Sequence, residues 1–91
     1  MMVKEKTKIS PNTIENLTDI KNLIVHNDDF NTFDYVIQTL IEVCKHDKEQ
    51  AEQCTLIIHF KGKCIVKSGN CTNLKLMCEE ILRRGITATI E

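Results

Sequence analysis

Apolar residues recur every three or four positions in three stretches of this chain and alternate or cluster in three shorter ones. That pattern predicts three helices and three strands. Lys21 to His26, holding Leu23, Ile24 and Val25 between polar flanks, is too short for a stable helix and reads as the first strand. Phe33, Val36, Ile37, Leu40, Ile41 and Cys44 then trace one helical face ending near Lys45 and His46. Asn31 or Thr32 can cap it, and Asp34 places a negative charge in its first turn. Asp47 opens a second helix through Phe60, with Ala51, Cys54, Thr55 and Ile58 on one stripe and Leu56 and Ile57 widening it, so this helix is expected to be largely buried. Gly62 stops it, Lys63 to Lys67 forms a strand, and Ser68-Gly69-Asn70 forms a turn. A third helix from Thr72 to Arg84 buries Leu74, Met77, Cys78, Ile81 and Leu82 and stops at Gly85, and Ile86 to Ile90 alternates as the last strand.

The order β-α-α-β-α-β implies an α+β fold, an open sandwich in which helices cover one face of a three-stranded sheet. The segment before it, rich in Lys, Thr, Asn and Glu, has no sustained period, so residues 1–20 are expected to be a flexible tail and 21–91 the domain.

Composition narrows the function classes. Ninety-one residues make one small domain, and 12 basic against 13 acidic residues leave a net charge of −1, which favours neither a nucleic-acid backbone nor an anionic membrane. Three Phe, one Tyr and no Trp give no stacking platform for bases. No apolar run approaches the roughly 20 residues that span a bilayer, and the Lys-rich start lacks the apolar stretch of a signal peptide, so a cytoplasmic protein is expected, and with no apolar patch in the sequence that demands a dimer, a monomer. Cys44, Cys54, Cys64, Cys71 and Cys78 contain no close pair of the kind that chelates zinc. Reduced thiols acting as small hydrophobes, with no metal and no cofactor, are the expectation.

Candidate chemistry concentrates in His26-Asn27-Asp28-Asp29, where two carboxylates and an amide leave the end of the first strand together. Such a cluster suits a positive group, and His59, at the close of the second helix, is the histidine placed to join it. A free α-amino group, with a pKa of about 7.7–8.0, is largely a cation with three donors, while a carboxylate, an amide oxygen and a neutral imidazole nitrogen are three acceptors. From the residues alone, Asp28 and Asp29 serve equally well as a turn before a capped helix, and His59 as a core histidine bonded to a carbonyl.

The run Val25-His26-Asn27-Asp28-Asp29-Phe30, the helix start Phe33-Asp34-Tyr35-Val36-Ile37 and the segment Ile58-His59-Phe60-Lys61-Gly62-Lys63 resemble the ClpS family, adaptors of the Clp protease. The resemblance implies a non-enzymatic adaptor that binds the first residue of N-degron substrate proteins. It also implies delivery to a Clp-family AAA+ unfoldase of the ClpA or ClpC kind. Carried onto this chain, it gives Asn27, Asp28 or Asp29, and His59 as ligands of the substrate's α-amino group. It gives Asn31, Phe33, Val36, Leu40, Thr55 and Ile58 as the pocket for the first side chain. Family members generally prefer Leu, Phe, Tyr or Trp there. Phe33 and Thr55 stand where the family often has Met or Leu and Met, which implies a pocket narrower at its mouth and wider beside Thr55.

Two other classes are consistent with parts of the sequence. One is a metal-dependent hydrolase using His26, Asp28, Asp29 and His59, although nothing supplies a nucleophile or a phosphate loop. The other is a ribosomal-stalk-like interaction domain, which shares the element order but lacks the Asn-Asp-Asp and His pair.

Overall fold

The computed structural model describes residues 19–91. Most of the tail expected over residues 1–20 lies outside them, and Ile20 already belongs to the first strand. Strand β1 (Ile20–His26) is followed by helices α1 (Phe33–Cys44) and α2 (Lys48–Lys61), strand β2 (Lys63–Asn70), helix α3 (Cys71–Arg83) and strand β3 (Ala88–Ile90). The sheet runs β2-β1-β3 with both pairings antiparallel. This is the expected α+β order.

Local chemistry explains where the helices begin and end. Thr32 caps α1, its hydroxyl accepting from Tyr35 N at 3.1 Å, and Asp47 caps α2 by accepting from Gln50 N at 2.7 Å. Gly62 ends α2 at φ 94°, a left-handed conformation that costs glycine little. Helix α1 ends on Lys45 at φ 61°, the one non-glycine residue with positive φ among the described residues. No basic residue occupies the last turn of α1, and Lys67 on β2 answers its exposed carbonyls instead, donating to Cys44 O at 3.1 Å. Lys67 is thus half-buried against a helix end.

Two strand boundaries differ from expectation. Ser68, Gly69 and Asn70 form no turn. They stay paired with Asn22, Lys21 and Ile20, and Asn70 caps α3 directly, its side chain accepting from Asn73 N at 2.9 Å. Strand β3 starts two residues later than the alternation suggests, because the left-handed Gly85 lets Ile86 N return to Ile81 O at 3.2 Å.

The core lies between the sheet and the helices. Leu23 and Val25 of β1, Val66 of β2 and Ala88 of β3 meet Leu40 and Cys44 of α1, Ala51 and Ile58 of α2, and Leu74 and Ile81 of α3. Each fully buried aliphatic chain contributes about 1.5–3 kcal/mol. A shift in the β1–β2 pairing between Leu23 and Ile24 puts both Val66 and Lys67 opposite this face. His46 is the buried histidine: it is 4% exposed, and its Nε2 donates to Val66 O at 2.7 Å, pinning the α1–α2 connection to the edge strand.

Helix α2 is less buried than its apolar content suggests. Ala51, Thr55 and Ile58 face inward, whereas Leu56, Ile57 and Phe60 remain exposed. A helix packed on one side only hides one stripe. Leu82 of α3, expected inside, is likewise exposed.

Candidate functional site

The chain leaves β1 at His26 and must turn sharply to start α1 at Phe33. Asp28 makes that turn. Its Oδ1 accepts from Phe30 N and Asn31 N, both at 2.9 Å, and its Oδ2 accepts from Asn31 Nδ2 at 2.8 Å. Desolvation acts to raise the Asp28 carboxyl, but the hydrogen bonds from Asn31 N, Phe30 N and the Asn31 side chain together outweigh it and hold the group below its ordinary value. The loop is fastened at two further points. Asn27 N donates to Gly62 O at 2.9 Å, and Asn31 Nδ2 also donates to Gly85 O at 2.9 Å. Behind it, Tyr35 Oη donates to Arg84 O at 2.7 Å, tying the start of α1 to the end of α3.

The folded loop, the N-terminal half of α1 and the C-terminal half of α2 enclose a cavity of about 350 Å³. That volume is at the lower end for small-ligand pockets and suits one amino-acid residue. Val36, Thr55 and Ile58 supply its buried lining, and the Thr55 hydroxyl is already spent, donating to Ala51 O at 2.8 Å. Thus the deep part of the cavity offers a ligand little but apolar surface. Asn27, Asp28, Asp29, Asn31, Thr32, Phe33 and His59 complete the wall. Phe33 and His59 face each other edge to face, with ring centroids 5.6 Å apart.

Polar capacity is concentrated at one side. Among the described residues Asp29 has no hydrogen-bond partner, and Asp28 Oδ2 has a single one. Both carboxylates stand in the same wall as the Asn27 amide and the His59 imidazole. His59 sits in the last turn of α2, whose macrodipole presents partial negative charge. Carboxylates and a helix C-terminus together favour a cation at this side of the cavity.

Of the residues expected to bind an amine, Asn27, Asp28, Asp29 and His59 all line the cavity. Of those expected to form the side-chain pocket, Asn31, Phe33, Val36, Thr55 and Ile58 line it as well. Leu40 does not: at 1% exposure it lies one turn beyond Val36 within the core, so its place is structural. Asn31 lines the cavity, but its amide nitrogen is committed to Asp28 and Gly85. Thr32, read only as a cap, also lines the wall, and its cap position before Phe33 was the available signal. The set His26, Asp28, Asp29 and His59 is not assembled as a metal site. His26 Nε2 lies 2.8 Å from Thr89 Oγ1 on the sheet, and among the described residues no three His, Cys, Asp or Glu side chains converge as ligands. No described helix is long and apolar enough to cross a membrane.

Comparison with known proteins places this geometry. Residues 19–89 match the family model described as ATP-dependent Clp protease adaptor protein ClpS. An ATP-dependent Clp protease adapter protein ClpS of Vibrio atlanticus is 34% identical over 65 residues, covering 71% of this chain and 56% of that protein. One from Thermosynechococcus vestitus is 36% identical over 66 residues, covering 71% and 70%. The chain therefore spans little more than half the length of some of these relatives. Among solved structures, Agrobacterium tumefaciens ClpS2 bound to L-phenylalaninamide superposes with a TM-score of 0.77 at 16% identity, covering 80% of this chain and 95% of that one, a likeness of fold. By the family match over most of its length, the chain belongs to the ClpS family of Clp protease adaptor proteins.

Proposed function

We propose that this chain recognises the free α-amino group and the first side chain of N-degron substrates and hands them to a Clp-family unfoldase. The observation that carries the reading is the division of the cavity. Acceptors from Asn27, Asp28 or Asp29, and His59 gather at one side, and an apolar lining of Val36, Thr55 and Ile58 lies beyond them. An α-ammonium would meet charge and donor capacity matched to its own. An internal peptide N–H, with one neutral donor and a bulky acyl group, would not fit. The structural neighbour from Agrobacterium tumefaciens holds L-phenylalaninamide, a single residue with these two features.

Magnitudes favour a weak complex. Three hydrogen bonds to a charged group at about 1.5–3 kcal/mol each and one buried apolar side chain at about 1.5–3 kcal/mol face an association cost of roughly 4 kcal/mol or more. The remainder corresponds to a Kd of about micromolar at best. An adaptor docked on an unfoldase makes such affinity productive by raising the local substrate concentration.

The test is fluorescence anisotropy with a labelled peptide beginning with Phe or Leu, set against its N-acetylated form and a peptide beginning with Ala. The reading expects binding of the free apolar terminus only, lost in His59→Ala. Equal binding of all three, or of none, would overturn it.

A further inference from the structure

Helix α2 passes into β2 through the single residue Gly62, and the two elements pack against each other. Each brings a cysteine to that contact. Cys54 shares the inward stripe of α2 with Ala51, Thr55 and Ile58. Cys64 lies two residues before Val66, on the face of β2 that meets the core, and pairs with the buried Val25 of β1. Both thiols are half-buried and pack against the same core cluster, within hydrogen-bonding reach of each other. The Cys64 thiol also donates to Ile65 O at 3.4 Å. Burial first, and then the Cys54 thiol beside it, pushes Cys64 up to about 12. The other cysteines stand differently. Cys44 and Cys78 are buried, and Cys71 is exposed at the start of α3.

We propose that Cys54 and Cys64 are a redox-responsive pair, which a small disulfide such as oxidised glutathione converts into an intramolecular disulfide joining α2 to β2. One protein thiol loses its proton to solvent, and its thiolate attacks a sulfur of the oxidant. A protein–glutathione mixed disulfide forms and one glutathione thiolate leaves. The second protein thiol, deprotonated in turn, attacks the protein sulfur of that mixed disulfide and expels the other glutathione. Two protein thiols and one oxidised glutathione thus become one protein disulfide and two reduced glutathiones, with two electrons passing to the oxidant. The surroundings favour this product over a metal-bound thiolate pair. A disulfide carries no charge to desolvate, and among the described residues no third His, Cys, Asp or Glu side chain completes a metal site. Cys54 precedes Thr55 and lies one turn before Ile58, so the bond fastens α2 directly behind the apolar lining of the cavity. The pair stands on its own geometry, whether or not the cavity takes an amine.

The experiment equilibrates the full chain, and its Cys54→Ser, Cys64→Ser and Cys71→Ser variants, with oxidised glutathione. Remaining thiols are alkylated, and tryptic peptides are mapped by mass without reduction. Cleavage after Lys61 and Lys63 puts the two cysteines on separate peptides, 49–61 and 64–67, which stay joined only through the bond. The expected result is that joined pair in the full chain and in Cys71→Ser, at least about ten-fold more abundant than any peptide joined through Cys44. Dithiothreitol should separate it, and neither of the other two variants should yield it. Cys44 and Cys64 are each ten residues from Cys54. In urea, where spacing along the chain alone decides, the Cys44–Cys54 bond should therefore form as readily as the Cys54–Cys64 bond. Recovery of 49–61 and 64–67 as separate alkylated peptides from the folded chain would overturn the pair. So would glutathione adducts that persist on Cys54 or Cys64, or a preference for Cys64 over Cys44 that is the same in urea as in the folded chain.

Discussion

The interior of this domain and the mouth of its cavity are built from different side chains. Inside, Leu, Ile, Val, Ala and Cys fill the space between sheet and helices, and His46, the one buried aromatic ring among the described residues, is bonded to Val66 O. At the mouth stand Asn27, Asp29, His59 and Phe33, all exposed. Branched aliphatic chains pack at high density without polar atoms to satisfy, which suits a small domain with one modest core. Rings and acceptors left at the surface give up burial but remain available to a ligand. Stability and recognition should therefore respond separately to mutation.

The sharpest separation lies along α1. Leu40→Ala removes a core side chain one turn from the cavity and should cost about 2–5 kcal/mol in urea denaturation. First-residue preference should be unchanged in the protein that remains folded. A shift in preference with little loss of stability would return Leu40 to the cavity wall. The two histidines provide the next comparison. His46→Leu strands the Val66 carbonyl and should cost about 1–3 kcal/mol. His59→Ala, at an exposed position, should change stability by no more than about 0.5 kcal/mol while abolishing peptide binding.

Asp28 belongs to neither side alone, because it shapes the mouth by ordering the backbone. Its folded pKa lies below the ordinary 3.8, so its loop bonds are fully present above that value and are lost as pH falls through the lower folded pKa. Amide resonances of Phe30 and Asn31 should hold their positions from neutral pH to about pH 4 and move below it. Movement already at pH 5 would mean that the carboxylate is not the organising group. The smallest expected effect is at Lys45, whose left-handed φ of 61° burdens a side chain with a Cβ. Lys45→Gly should raise stability by a net of about 0.5–1 kcal/mol, with binding unaffected, as read by thermal denaturation.

Much of the fold was legible because periodicity and capping agreed. Thr32 and Asp47 mark helix starts, Gly62 and Gly85 mark ends, and the element order follows. Features that depend on partners far along the chain were not legible. His46 looks like a helix terminus until Val66, twenty residues later, is seen to accept its proton. Ser68-Gly69-Asn70 carries turn residues, yet the pairing with β1 keeps it in the sheet. Leu56, Ile57 and Leu82 read as buried because hydropathy alone does not reveal that a helix has one unpartnered side. At the site, the cluster from Asn27 to Asp29 and His59 could be named from the sequence. The separate work of its members could not, since the Asp28 carboxylate faces its own loop only once the backbone has turned.

The most direct test of the central claim, that the space between α1 and α2 holds an amine and its side chain together, is a backbone NMR titration of the chain with L-leucinamide. The account predicts shifts concentrated at Asn27 to Asn31, Val36, Thr55 and His59, which disappear when the ligand is N-acetylated. Shifts centred instead on the open face of the sheet, around Ile65 and Thr89, or identical shifts with the acetylated ligand, would contradict it.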